Sequence, residues 1–222
     1  MISDALAVVR ARLAAAGATD VRIVAVTKGF GAGAVVDAVA AGVTDLGENY
    51  AQEVLTKFPE VARRIDLSGV DVHFIGQLQS NKVRPLAPWI TRWDTVDRSG
   101  VVDVIARHCH GARVLVQVNA TGEEGKGGAA PEEVEPLVHL AQGAGLRVDG
   151  LMTVGPTRGG PEAARPGFAL VRGLVDRLGL DVCSMGMSDD LEVAVAEGST
   201  EVRVGSALFG ARPRRSDHGA VA

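Results

Sequence analysis

Short apolar runs recur along this chain at intervals of roughly 20–35 residues, the size of one β–α unit, with amphipathic stretches between them. The runs are Val21–Val26, Thr44–Leu46, Val72–Ile75, Trp93–Val96, Val114–Val118, Val148–Val154, Val182–Met187 and Val202–Leu208. Several are continuous rather than alternating, such as Ile23-Val24-Ala25-Val26 and Val114-Leu115-Val116. Strands of a parallel sheet, buried on both faces, have this pattern. Eight such runs predict an α/β fold, a single closed (β/α)8 barrel of the TIM type, in preference to an open doubly wound sheet.

The intervening segments carry helix signals. Ser3 is placed to cap a first helix with an apolar stripe of Ile2, Leu6, Val9 and Leu13, and Gly17 to end it. This extra N-terminal helix precedes the first strand and little chain follows the eighth, so it is expected to fill the gap left in the outer ring. Pro131, Glu132 and Glu133 suit a first turn with Gly145 as the stop; Ser188, Asp189 and Asp190 suit another, with Gly198 past its end. Pro136 and Pro166 fall inside helical windows and predict shortened or kinked helices. The stretch Gly155–Gly167 reads as an exposed loop. No composition shift marks a boundary, so residues 1–222 read as one domain with a flexible tail from about 213.

Composition excludes several classes. Hydrophobic residues make up 46% and charged residues 23%, with a formal net charge of -4. That balance is globular, and no basic patch suggests nucleic acid. No apolar run is long enough for a membrane span, and Asp4, Arg10 and Arg12 break any secretory signal. Cys109 and Cys183 lack metal-ligand spacing and read as reduced thiols in a cytoplasmic protein. Gly122-Glu123-Glu124-Gly125-Lys126-Gly127-Gly128 fails as a phosphate-binding P-loop, because Gly127 stands where Ser or Thr is needed. His108-Cys109-His110 reads as a surface helix end, and Trp89 and Trp93 as packing residues.

In such a barrel, function sits at the C-terminal ends of the strands. Polar residues and glycines interrupt the apolar runs there: Lys28, Glu48 and Asn49, Gly76 and Gln77, Asp97, Asn119, Thr153, Ser184 to Ser188, then Gly205 and Ser206. A lysine directly after Ile-Val-Ala-Val-Thr enters the barrel mouth, where desolvation and neighbouring cations lower its pKa and favour a nucleophilic amine. From position alone, a lysine snorkelling to solvent is the commoner reading of Lys28. Arg203, Gly205 and Ser206 fit a phosphate site at the end of the eighth strand, with Ser184 as another donor; plain turn chemistry explains the glycine and serines equally well.

Long stretches of the chain resemble the pyridoxal phosphate homeostasis protein family. They are Ala25-Val26-Thr27-Lys28, the run from Gly47 to Glu53, the run from His73 to Lys82, Gly150-Leu151-Met152, the run from Ser184 to Asp190, the run from Glu197 to Ser206, and Phe209-Gly210. The resemblance implies a barrel like the N-terminal domain of alanine racemase, without that enzyme's C-terminal β domain, and pyridoxal 5'-phosphate as cofactor. It implies that Lys28 holds the cofactor as a Schiff base and that Arg203 faces the pyridine nitrogen. It places Ser184, Gly205 and Ser206 around the phosphate, and Asn49 and Met187 near the cofactor. The family usually follows its lysine with Thr and, two positions later, Pro, whereas this chain reads Lys28-Gly29-Phe30-Gly31, which predicts a more mobile loop.

The implied role is that of a carrier in vitamin B6 homeostasis. Such a protein buffers pyridoxal phosphate and delivers it to apo-forms of cofactor-dependent enzymes, most simply as a monomer without catalytic turnover. The alternative is a racemase or lyase of low activity acting on amino acids. Racemisation needs a second base besides Lys28, and the chain's one tyrosine is Tyr50. A third reading is a Schiff-base aldolase acting on a sugar carbonyl. Lys126 reads as a solvated loop lysine or an aid to cofactor transfer.

Overall fold

The computed structural model describes residues 1–18 and 20–212. The expected tail from about 213 therefore lies outside the described residues. In chain order the elements are α1 (Ile2–Ala15), β1 (Arg22–Val26), α2 (Ala32–Ala40), β2 (Asp45–Glu48), α3 (Ala51–Arg64), β3 (Asp71–Phe74) and α4 (Ser80–Leu86). Then come β4 (Arg92–Val96), α5 (Ser99–His108), β5 (Arg113–Val118), α6 (Val134–Gly143), β6 (Arg147–Thr153), α7 (Arg165–Leu178), β7 (Val182–Ser184), α8 (Leu191–Ala196), β8 (Glu201–Val204) and α9 (Ser206–Phe209). The strands pair in parallel, each with the next, and β8 closes onto β1 with Ile23 opposite Val202. The predicted barrel is the observed one.

Every predicted strand forms, but the runs Val182–Met187 and Val202–Leu208 extend well past the strands they contain. β7 ends at Ser184; beyond it the Met185 amide still bonds the Glu201 carbonyl and the Gly186 carbonyl accepts the Arg203 amide, while Met187 reaches the barrel mouth. After Val204 it turns into α9, where the Leu208 and Phe209 amides bond the Gly205 carbonyl. Apolarity in these tails reflects packing rather than sheet. Pro136 and Pro166 lie near the starts of their helices. Each falls in a first turn, where the missing N–H has no helical acceptor to lose.

Alternation along the strands divides two environments. Ala25, Leu46, Phe74, Trp93, Val116, Leu151 and Val202 join the apolar layer between sheet and helices. Residues of the opposite parity point into the barrel. Toward the N-terminal ends of the strands that interior is ionic. Buried Arg92 binds Asp94 at 2.7 Å and Glu201 at 2.6 Å, and His73 lies 3.2 Å from both Asp45 and Asp94. Trp93 packs on Phe74 with ring centroids 6.1 Å apart, and Trp89 on Phe58 at 6.2 Å, as expected of packing residues.

The N-terminal helix occupies the outer ring beside α8, α9 and α2. Leu6, Val9 and Leu13 form its buried stripe. Arg12 latches it in place, donating to both carboxylate oxygens of Glu192 (2.7 and 2.9 Å) and to the Ser188 carbonyl at 3.0 Å.

Candidate cofactor site

Lys28 lies just beyond β1, on the same parity as Val24 and Val26, so its side chain enters the barrel mouth. It lines a cavity of about 470 Å³. Asn49, Met187, Arg203, Gly205 and Ser206 line the same cavity, so six of the seven residues singled out from the sequence converge there. The seventh, Ser184, does not. Its side chain is fully buried beneath Arg203, whose Nη1 donates to the Ser184 carbonyl and to its hydroxyl, each at 2.9 Å. Arg203 Nη2 donates to the Thr153 carbonyl at 2.6 Å. Ser184 thus holds the arginine rather than facing the cavity.

The electrostatics favour a nucleophilic amine. Lys28 has its pKa lowered, first by desolvation and then by the charges of Arg212 and Arg203; Glu48 and Glu53 oppose the shift. Arg203 is itself buried and bound mainly to neutral carbonyls, and desolvation lowers its pKa while the charges of Glu201, Asp94 and Asp190 raise it. Across the cavity, Ser206 Oγ sits 3.1 Å from Ser188 Oγ, and two hydroxyls therefore face the opening beside Gly205.

Several contributors were missed in the sequence. Phe30 walls the cavity and stacks on Phe209 at 5.3 Å. Arg212 lines it too and also borders a neighbouring groove with Tyr50. Ser188, already among the strand-end residues read from the sequence, and Asp189 complete the rim. Asp189 brings negative charge to the Ser188 side, but from the turn before α8, whose N-cap is Asp190. Asp190 instead accepts the Met187 amide at 2.6 Å and shapes the segment after β7. Only family motifs or three-dimensional proximity point to Phe30 and Arg212, because neither interrupts an apolar run.

Two further sequence features settle into structural roles. Lys126 donates to the Gly155 carbonyl at 2.6 Å and lies 3.3 Å from Glu123, tying together the loops after β5 and β6. Asn119 bonds within its own loop, to the Glu123 carbonyl and the Gly122 amide.

A family model described as the alanine racemase N-terminal domain matches residues 3–213. A Pseudomonas aeruginosa protein named pyridoxal phosphate homeostasis protein is 44% identical over 209 residues, covering 91% of this chain and 87% of the relative. The chain belongs to the pyridoxal phosphate homeostasis protein family. An Escherichia coli relative of the same name is 35% identical over 227 residues, 95% of this chain and 97% of its own. Among solved structures of similar proteins, PipY of Synechococcus elongatus without pyridoxal phosphate superposes with a TM-score of 0.82 at 31% identity, covering 95% of this chain and all of PipY. PipY with the cofactor bound superposes with a TM-score of 0.78 at 30% identity, with the same coverage. The D-threo-3-hydroxyaspartate dehydratase of Delftia sp. shares the barrel alone, at 19% identity and a TM-score of 0.64.

Proposed function

We propose that this protein holds pyridoxal phosphate on Lys28 in the barrel mouth and serves vitamin B6 homeostasis, buffering the cofactor and delivering it to apo-enzymes. The observation that carries the proposal is the meeting of Lys28, with its depressed pKa, and buried Arg203 in one cavity of about 470 Å³. The family relationship supports the same cofactor. The cavity volume is in the range of small-cofactor pockets, and its donors suit the ligand. Lys28 supplies an amine for the aldehyde. Ser206, Ser188 and the backbone at Gly205 supply hydrogen-bonding groups for a phosphate, and Asn49 and Met187 flank the ring.

When bound, pyridoxal phosphate supplies an aldehyde that condenses with an amine and a ring that draws electrons when protonated. Arg203 keeps a fixed positive charge in the cavity, which disfavours a second positive charge on the ring beside it. The electron-withdrawing power that amino-acid chemistry needs is thereby weakened. Tyr50 is about half exposed and borders the neighbouring groove, not the cavity around Lys28, so it is poorly placed as a second base. Both points favour a carrier over a racemase or lyase. Among the described residues no helix is long and apolar enough to cross a membrane, and a monomer in the cytoplasm fits this role.

The test is spectroscopic. Purified protein with pyridoxal phosphate should develop a visible absorbance band, and Lys28→Ala should abolish it. The loaded protein should then pass its cofactor to an apo-enzyme while leaving a panel of amino acids unchanged. A Lys28→Ala protein that keeps the band would overturn the assignment, and substantial turnover of any amino acid would favour the enzyme reading.

A further inference from the structure

The segment that carries Lys28 is gripped from one side by two residues of α3 that the proposed function does not use. Lys57 is buried, an unusual place for a lysine, and its Nζ donates to the Thr27 carbonyl at 2.8 Å and to Glu48 Oε1 at 2.6 Å. Glu53 lies one turn earlier on the same helix. Its carboxylate accepts the Gly29 amide at 2.8 Å and lies 3.6 Å from Lys57 Nζ. The Thr27 carbonyl belongs to the peptide before Lys28, and the Gly29 amide to the peptide after it. Each peptide flanking Lys28 therefore has its own anchor, and the anchors are coupled to each other.

The grip matters because the loop is otherwise loose. Gly29 adopts φ +79°, a conformation that suits glycine, and Gly31 follows it before α2 begins at Ala32. An anchored main chain keeps the Lys28 amine directed at the cavity, which raises its effective concentration toward a bound aldehyde.

We propose that Glu53 and Lys57 are positioning residues for Lys28, holding its two flanking peptides and so setting how fast the cofactor leaves. The proposal rests on the reading of Lys28 as the cofactor lysine.

Glu53→Ala and Glu53→Gln, made in the full chain, test it. Glutamine keeps an oxygen to accept the Gly29 amide but loses the charge; alanine loses both. In cofactor-free protein, hydrogen exchange at the Gly29 amide should quicken about tenfold in Glu53→Ala, the scale of losing one hydrogen bond, and stay near wild type in Glu53→Gln. In loaded protein, transfer of cofactor to an apo-enzyme should follow the same order. Unchanged exchange in Glu53→Ala overturns the proposal. Equal behaviour of the two variants also overturns it, since charge alone would then be acting. If wild-type protein shows no visible band, the reading of Lys28 fails, while the exchange measurement still decides whether the clamp exists. The paired variant Lys57→Met with Glu48→Gln leaves no carboxylate buried alone. Exchange across Lys28–Phe30 at the wild-type rate in that protein would remove Lys57 from the clamp.

Discussion

Arg203 is held by Ser184 through two hydrogen bonds of 2.9 Å from a single nitrogen, one to the carbonyl and one to the hydroxyl, while its other terminal nitrogen reaches across to Thr153. This fork spans two strands, β6 and β7, with a geometry that a lysine ammonium does not reproduce. Arg203→Lys should therefore weaken pyridoxal phosphate binding about tenfold or more, measured by titrating the visible band. A binding constant equal to wild type would show that charge suffices and that the fork is incidental.

Arg212 lowers the Lys28 pKa through its charge, second only to desolvation. Removing that charge in Arg212→Gln should raise the Lys28 pKa, so a higher pH is needed to expose the free amine. The pH profile of Lys28 modification, followed by trapping with an aldehyde and borohydride, should move to higher pH. A profile that stays put would mean that Arg212 does not act on Lys28 in solution.

His73 lies wholly inside the barrel. Burial alone would lower its pKa, and Arg92, 2.8 Å from Nδ1, opposes protonation as well. The charge of Asp94 and the hydrogen bonds to Asp45 and Asp94 outweigh both, raising the pKa from 6.5 to about 9. A raised folded-state pKa means stabilisation that is complete below the unfolded value and lost as pH rises through the folded one. Stability should accordingly fall by about 3 kcal/mol between pH 6.5 and pH 9, the order set by the size of the shift. Urea midpoints across that window measure it, and His73→Gln should flatten the slope.

A methyl group at Gly76 would sit 1.9 Å from the Asn49 carbonyl oxygen. That oxygen is backbone and has no rotamer to escape into. Gly76→Ala should cost about 2–3 kcal/mol by overpacking and shift Asn49 away from the cavity. Thermal unfolding should show a lower Tm, and cofactor titration a weaker affinity. A Tm within a degree of wild type would mean that the β2–α3 connection yields readily.

Much of this was legible in the sequence because the barrel repeats one physical pattern. Apolar runs report the strand faces covered by helices, and the polar residues that end them report the mouth, so Lys28, Asn49 and Arg203 were all within reach. The ionic interior was harder to see. Asp45, His73, Arg92, Asp94 and Glu201 alternate with strongly apolar neighbours such as Leu46, Trp93 and Val202, and a search for continuous apolar runs passes over that alternation. Lys57 was hidden for a related reason. It sits in a helix rich in charged residues, and nothing along the chain says that this lysine alone turns inward. Ser184 and Arg203 were both found, but their pairing was not, because the direction of a hydroxyl at a strand end depends on what lies across the barrel. The expected looseness after Lys28 followed from its glycines alone and took no account of α3.

The latch from Arg12 to Ser188 and Glu192 has a consequence for how the protein is made. Ser188 belongs to the cavity rim, α1 packs beside α9, and Lys28 and Arg203 reach one cavity from nearly opposite ends of the chain. A ribosome delivers α1 and Lys28 well before Arg203, so this helix emerges before α8 and α9, its partners, exist. Closure of the ring and completion of the cavity thus coincide with the arrival of β8, and a chain stalled before it would carry Lys28 without Arg203 and Arg212, whose charges lower its pKa.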